Sequence, residues 1–204
     1  MRSYALAGAL AAALLAASAP NALAQASSDA ASVKAGTYKV EAYHTQIGFS
    51  VLHFGFTPFS GFFSGASGSL KLDPAHPSAS ALDVSVPVQS VTTTVGQLDT
   101  ELKGAQWFDA AQFPNATFKS TTIVLVGKDR ATITGDLTLH GVTRPVVLNA
   151  HFVGAGVNPL DKAYTVGFEA TGTFKRSDFG VKTYVPMVGD DVTLTIAGAF
   201  ERQD

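Results

Sequence analysis

The sequence contains no cysteine, which excludes disulfide staples, thiolate metal sites, a cysteine nucleophile and the lipid-modified cysteine of a membrane-anchored lipoprotein. Charge is scarce as well. Asp, Glu, Lys and Arg make up 15% of the 204 residues, with a net charge of −2 and no basic block. A disordered charged-tail protein is excluded by that composition, and a nucleic-acid footprint is not expected, because phosphate affinity needs clustered Lys and Arg. Catalytic signatures are thin. Gly61-Phe62-Phe63-Ser64-Gly65 has the wrong spacing for a G-x-S-x-G nucleophile elbow. The five histidines form no H-x-H, H-x-x-x-H or H-E-x-x-H pattern, so no metal site is expected. Gly154-Ala155-Gly156 lacks a third glycine and lies between β segments, so no dinucleotide cofactor is implied.

What is present begins with a secretory signal over residues 1–24. Arg2 gives a positive start, Ala5 to Ala17 is a near-unbroken Ala/Leu run, and Ala22-Leu23-Ala24 is an A-x-A cleavage site. Ser18, Pro20 and Asn21 end the run short of the roughly 18 apolar residues a membrane span needs, and no later segment is a candidate span. A periplasmic location is the expectation. Residues 25–35, rich in Ala and Ser, read as a flexible leader, and 36–204 as one folded domain.

Beyond Gly36 the dominant period is two. Tyr164, Val166, Phe168, Ala170, Gly172 and Phe174 alternate with polar residues, as do Ile133, Gly135, Leu137 and Leu139, then Val146, Leu148, Ala150 and Phe152. Leu82, Val84, Val86 and Val88 form another such row, and Val192, Leu194, Ile196, Gly198 and Phe200 close the chain. His140 to Pro145 supplies turn chemistry between two of these rows, with Pro145 tolerable only at a strand start or an edge. The exception is Thr92 to Gly104, where Val95, Leu98 and Leu102 recur at helical spacing and Ser90 to Thr94 offer capping hydroxyls. The expected fold is all-β: an antiparallel eight-stranded barrel with one short helix between strands. Such a barrel is either filled by its own side chains or left open for one small ligand.

Phenylalanine bears on that choice. Five of the 14 Phe, namely Phe54, Phe56, Phe59, Phe62 and Phe63, fall within ten residues, amid Gly48, Gly55, Gly61, Gly65 and Gly68. Bulky rings among glycines suit a barrel with space inside, although a solid aromatic core has the same composition. Arg176 continues the row ending at Phe174, and His53 continues Ile47, Phe49 and Val51. A buried arginine needs a partner: Asp178, Glu41 or a ligand anion. Trp107 and Phe108 follow the helix beside Gly104, an expected hinge, and either close the mouth as a lid or pack in the core. Two classes of function remain open, a carrier or store of a long apolar chain, and a barrel isomerase or cyclase using His44, His53 and Arg176.

The order and spacing of several motifs resemble the YceI family of bacterial periplasmic proteins. They are Tyr38-Lys39-Val40 with His44-Thr45, Phe49-Ser50-Val51 with His53-Phe54-Gly55, Ser90-Val91-Thr92-Thr93, Trp107-Phe108-Asp109, Phe113 to Ser120, Gly135 to Pro145, and Arg176-Ser177-Asp178-Phe179-Gly180. The resemblance implies an extended lipocalin-like barrel whose apolar tunnel takes a polyisoprenoid or another long-chain amphiphile, in many members as a homodimer, with no catalysis and no cofactor. Expected ligand contacts are Phe49, Val51, His53, Phe54, Phe56, Phe59, Phe62, Trp107, Phe108, Leu137, Leu139, Phe168, Phe174 and Arg176. One departure stands out: where members often read Arg-Asp-x-His-Leu, this chain has Leu98-Asp99-Thr100-Glu101-Leu102. If the basic pair holds an anionic headgroup in those members, its replacement here turns the preference to a neutral one such as a quinone; both headgroup classes stay open at the level of sequence.

Overall fold

A computed structural model describes residues 26–203; the expected signal sequence lies outside them. The described residues hold ten strands, one α-helix and four short 3-10 turns. Strands β1 (Gly36–Val40) and β2 (Gln46–His53) run in line along one neighbour, the last strand β10 (Asp191–Arg202). β3 (Thr57–Phe63) and β4 (Ser67–Leu72) are in line in the same way, β3 paired with β2 and β4 with β1. Each of these pairs is one strand of the wall, broken once. The first break is stitched by Glu41, whose carboxylate accepts the Tyr43 and His44 backbone N–H groups at 2.9 Å. Buried Thr45 completes it by receiving the Ala199 N–H at 3.0 Å. At the second break Gly65 takes a φ of 68°, open to glycine at no steric cost.

The remaining strands follow in sequence: β5 (Ala81–Pro87), β6 (Asn115–Val126), β7 (Arg130–Leu139), β8 (Val142–Val157) and β9 (Tyr164–Lys175), each antiparallel to the next. With β10 paired back to β1, the meander closes into an eight-stranded antiparallel barrel. The expected rows face inward, with two adjustments. Val88, placed at the end of the β5 row, instead enters a 3-10 turn at Val88–Ser90. The β7–β8 turn is only His140-Gly141, with φ of 51° and 73°, the paired positive values of a tight hairpin turn. Pro145 therefore lies inside β8, opposite Asp136, where β9 has not yet begun to pair. Its missing N–H costs no ladder bond on that side.

β3 does not pair with β5, and the gap is covered by the segment carrying the helix. Phe62 and Thr92 exchange backbone hydrogen bonds of 2.8 and 2.9 Å, after which α1 spans Gly96–Lys103. Its N-cap is Val95, with no side-chain cap; the expected hydroxyl acts just outside the helix. Thr93 Oγ1 accepts the Val95 N–H at 3.0 Å, and Asp99 in the first turn receives the Thr93 N–H and hydroxyl at 2.6 and 2.7 Å.

The expected flexible leader is, over its described part, bonded to the barrel. Ser27 and Ala155 exchange two backbone hydrogen bonds of 2.8 and 2.9 Å, and a 3-10 turn at Ala30–Ser32 follows. Ala26 seats over Gly154 and Gly156, where an added Cβ would stand 3.3 Å away in each case. Two glycines make that approach possible, and their meaning is invisible until the partner segment is known.

Candidate ligand-binding cavity

Buried side chains form three separate clusters rather than one core. One surrounds Tyr38, Val166 and Phe200, a second Leu148 and Phe179, a third Phe49 and Val192. The space between them is a cavity of about 1960 Å³ reaching both ends of the barrel, well above the roughly 300–1,000 Å³ of an ordinary ligand pocket. Its wall is mainly the inward rows, including Leu82, Val84, Ile133, Leu148, Phe168 and Leu194. One end is bounded by residues of the leader with Asp73, Lys128, Asp129 and Arg130, the other by His53, Phe54, Glu101, Trp107, Arg176 and Tyr184.

The glycines explain why so many rings leave the lumen open. A Cβ at Gly61 would stand 2.5 Å from the Phe49 ring, and one at Gly135 would stand 2.4 Å from the Phe118 ring. Each ring therefore lies down on a neighbouring strand's glycine instead of projecting across the barrel, a cross-strand arrangement that also covers the exposed glycine backbone.

Of the sequence-expected contacts, Phe49, Val51, His53, Phe54, Phe59, Trp107, Phe108, Leu137, Leu139, Phe168, Phe174 and Arg176 line this cavity. Phe56 and Phe62 do not. Phe56 sits in the β2–β3 turn and is 84% exposed. Phe62 faces outward, because Phe59, Gly61 and Phe63 occupy the inward parity of β3; its ring covers Gly48 on the outer surface. Clustering in sequence brought the five Phe together, whereas strand parity separates them. Lining residues that the alternation does not reveal include Phe118, Ile123 and Leu125 on β6. A bulge between Ser120 and Thr122 switches that strand's inward positions from even to odd, which erases a period-two signal.

The polar groups are arranged differently from expectation. His44 pairs with Glu41 at 2.8 Å on the exposed surface, away from the cavity, so His44, His53 and Arg176 do not converge. Arg176 begins a 3-10 turn at Arg176–Phe179 instead of extending β9, and is 4% exposed. Its hydrogen-bond partners are neither Asp178 nor Glu41. Nε donates to the Gly189 carbonyl at 2.8 Å, Nη1 to Val181 at 3.0 Å and Nη2 to Val188 at 2.8 Å. Burial pushes the guanidinium pKa down and nearby Asp190 opposes it; the group stays a cation, since an arginine is effectively always protonated.

Asp190 fixes the same corner by accepting the Ser177 N–H and hydroxyl at 2.9 and 2.8 Å. Burial alone would raise its pKa, but those two donors, with Lys175 and Arg176, outweigh that and hold it below the usual carboxylate range. A depressed folded-state pKa stabilises the protein above the unfolded value, about 4, and the gain disappears as pH falls through the lowered value. Urea unfolding of Asp190→Asn and the parent across a pH series is expected to show a deficit at neutrality that shrinks below about pH 4.

Trp107 is half-buried at the same end. Its Nε1–H donates to Glu101 Oε1 at 3.1 Å, its ring meets Tyr184 edge-on at 6.3 Å, and the Arg176 guanidinium lies 5.3 Å from its centroid. Gly104, the expected hinge, is tied down: its N–H donates to the Glu101 carbonyl, and its own carbonyl receives Trp107 and Asp109. Phe108 packs inward, edge-on to Phe63 at 5.5 Å. Trp107→Ala is expected to speed release of a bound chain severalfold in stopped-flow displacement. Its stability loss should stay below the roughly 3–5 kcal/mol of a deleted core aromatic.

A family model described as the YceI-like domain matches residues 38–200. The chain is 36% identical over 170 residues to Protein YceI of Escherichia coli O157:H7, covering 82% of this chain and 88% of that protein. Among solved structures, Burkholderia cenocepacia BcnA is similar with a TM-score of 0.71 at 25% identity, over 78% of this chain and 98% of that one. A polyisoprenoid binding domain from Saccharophagus degradans, implicated in plant cell wall breakdown, matches with a TM-score of 0.59 at 15% identity, over 83% of this chain and all of that one. At that identity the likeness is one of fold.

Proposed function

The chain belongs to the YceI family, and on that premise we propose that it is a periplasmic protein that carries or stores a polyisoprenoid or similar long-chain amphiphile, without catalysis. One observation carries the reading: a largely apolar cavity of about 1960 Å³ running from one barrel end to the other. Support also comes from the solved domain of the same fold that is described as polyisoprenoid binding. Burial of apolar chain is worth about 0.8 kcal/mol per CH₂, so one five-carbon unit contributes at most roughly 4 kcal/mol. Affinity gains flatten after a few units, because non-covalent binding saturates near about −18 to −21 kcal/mol.

Leu98 and Glu101, at the positions where resembling sequences carry a basic pair, both line the cavity. A carboxylate there repels a pyrophosphate, so the preferred headgroup is neutral, a quinone or a free alcohol, at the end of the cavity lined by His53 and Trp107. Solvent extraction of the purified protein followed by mass spectrometry, with titrations of prenyl alcohols, quinones and pyrophosphates of increasing length, tests both parts. Absence of prenyl binding at every length overturns the carrier reading; tighter binding of pyrophosphates overturns the headgroup assignment.

A further inference from the structure

The barrel end that carries Trp107 is ringed by exposed apolar side chains. Leu52, Phe56, Tyr184 and Met187 are 50, 84, 53 and 56% exposed, and Phe54 is 48% exposed. They come from two segments joined by backbone hydrogen bonds: the Phe54 N–H donates to the Met187 carbonyl at 2.8 Å, and the Gly189 N–H to Leu52 at 2.7 Å. Phe54 and Tyr184 have φ of 50° and 59°, a left-handed conformation that bulky residues rarely adopt. Outliers of that kind concentrate where function requires them. Both aromatics also line the cavity, so its apolar wall continues outward onto this rim.

Charge points to the kind of partner. Neither Val51 to Phe59 nor Thr183 to Gly189 contains an Asp, Glu, Lys or Arg, and exposed Lys182 flanks the second segment. Asp190, tied to Ser177, flanks it on the other side, and Glu101 at the same end is engaged by Trp107. Two uncharged apolar segments so bounded fit the interfacial region of a bilayer, where apolar side chains insert and polar groups stay at headgroup level. We propose that this rim docks reversibly on a lipid bilayer and that the ligand chain passes between bilayer and lumen over Phe54 and Tyr184. The proposal rests on the carrier reading, since only a chain sparingly soluble in water needs such a passage.

Phe56 and Met187 are on the rim but do not line the cavity, so Phe56→Ser with Met187→Ser separates docking from binding. The full domain is sedimented with vesicles of phosphatidylethanolamine and phosphatidylglycerol. Uptake of a polyprenol supplied on methyl-β-cyclodextrin is measured in parallel. The double variant is expected to lose vesicle association about tenfold or more, from two apolar side chains no longer buried in lipid, while taking up polyprenol from cyclodextrin like the parent. Failure of the parent to associate with vesicles, or equal association of parent and variant, overturns the docking proposal. If sedimentation velocity shows a dimeric parent, a monomeric variant and no vesicle association for either, the rim is a contact between copies of this chain and lipid docking is overturned. If the parent takes up no polyprenol from cyclodextrin, the carrier reading fails by itself, and vesicle association still decides the docking.

Discussion

Arg176→Met is expected to lower the unfolding free energy by about 3–5 kcal/mol, measured by urea denaturation of the empty protein. The guanidinium is 4% exposed and its three hydrogen bonds go to the carbonyls of Val181, Val188 and Gly189. Removing it leaves three acceptors without their donors, and each buried group so stranded costs about 1–3 kcal/mol. Methionine keeps much of the length but supplies no donor. The carbonyls belong to the segment after the 3-10 turn, so the variant should also loosen Tyr184 and Met187, seen as faster amide exchange there. Unchanged stability would mean that the guanidinium is available to a ligand rather than committed to the backbone.

Ala170→Trp is expected to reduce affinity for a long prenyl chain at least about hundredfold. Ala170 lines the cavity on β9, paired across the strands with Ala150 on β8 and Ile196 on β10. An indole added there projects into open lumen, so it blocks the tunnel without the roughly 1–3 kcal/mol cost of forcing bulk into a packed core. The lost affinity reflects chain units that can no longer pass the block, each worth up to roughly 4 kcal/mol by methylene count. Thr173→Trp, on the exposed parity of the same strand, is the control and should bind as the parent does. Competition titration with a fluorescent prenyl probe, alongside thermal unfolding, reads both quantities. Parent-like binding by Ala170→Trp would place the ligand somewhere other than the central lumen.

Alternation of apolar and polar residues along β5, β7, β8, β9 and β10 was sufficient to fix their inward faces, because a strand's side-chain period is two whatever its neighbours. The turn residues at His140 to Pro145 marked one hairpin between two of these rows, and the short helix followed from the one break in that period. The family was legible too, through the order of motifs from Tyr38 to Gly180, and the family model matches residues 38–200. What required tertiary structure were the features that depend on a partner's backbone. A bulge reversed the parity of β6, and Phe62 fell on the outer face although its neighbours in sequence point inward. Whether the lumen is open depended on rings lying down over glycines of adjacent strands, a cross-strand match that no single segment contains. Arg176 is held by carbonyls, and carbonyl groups are the same in every residue. Side-chain chemistry is therefore written in the sequence, whereas the placing of backbone acceptors is decided only by how the chain folds.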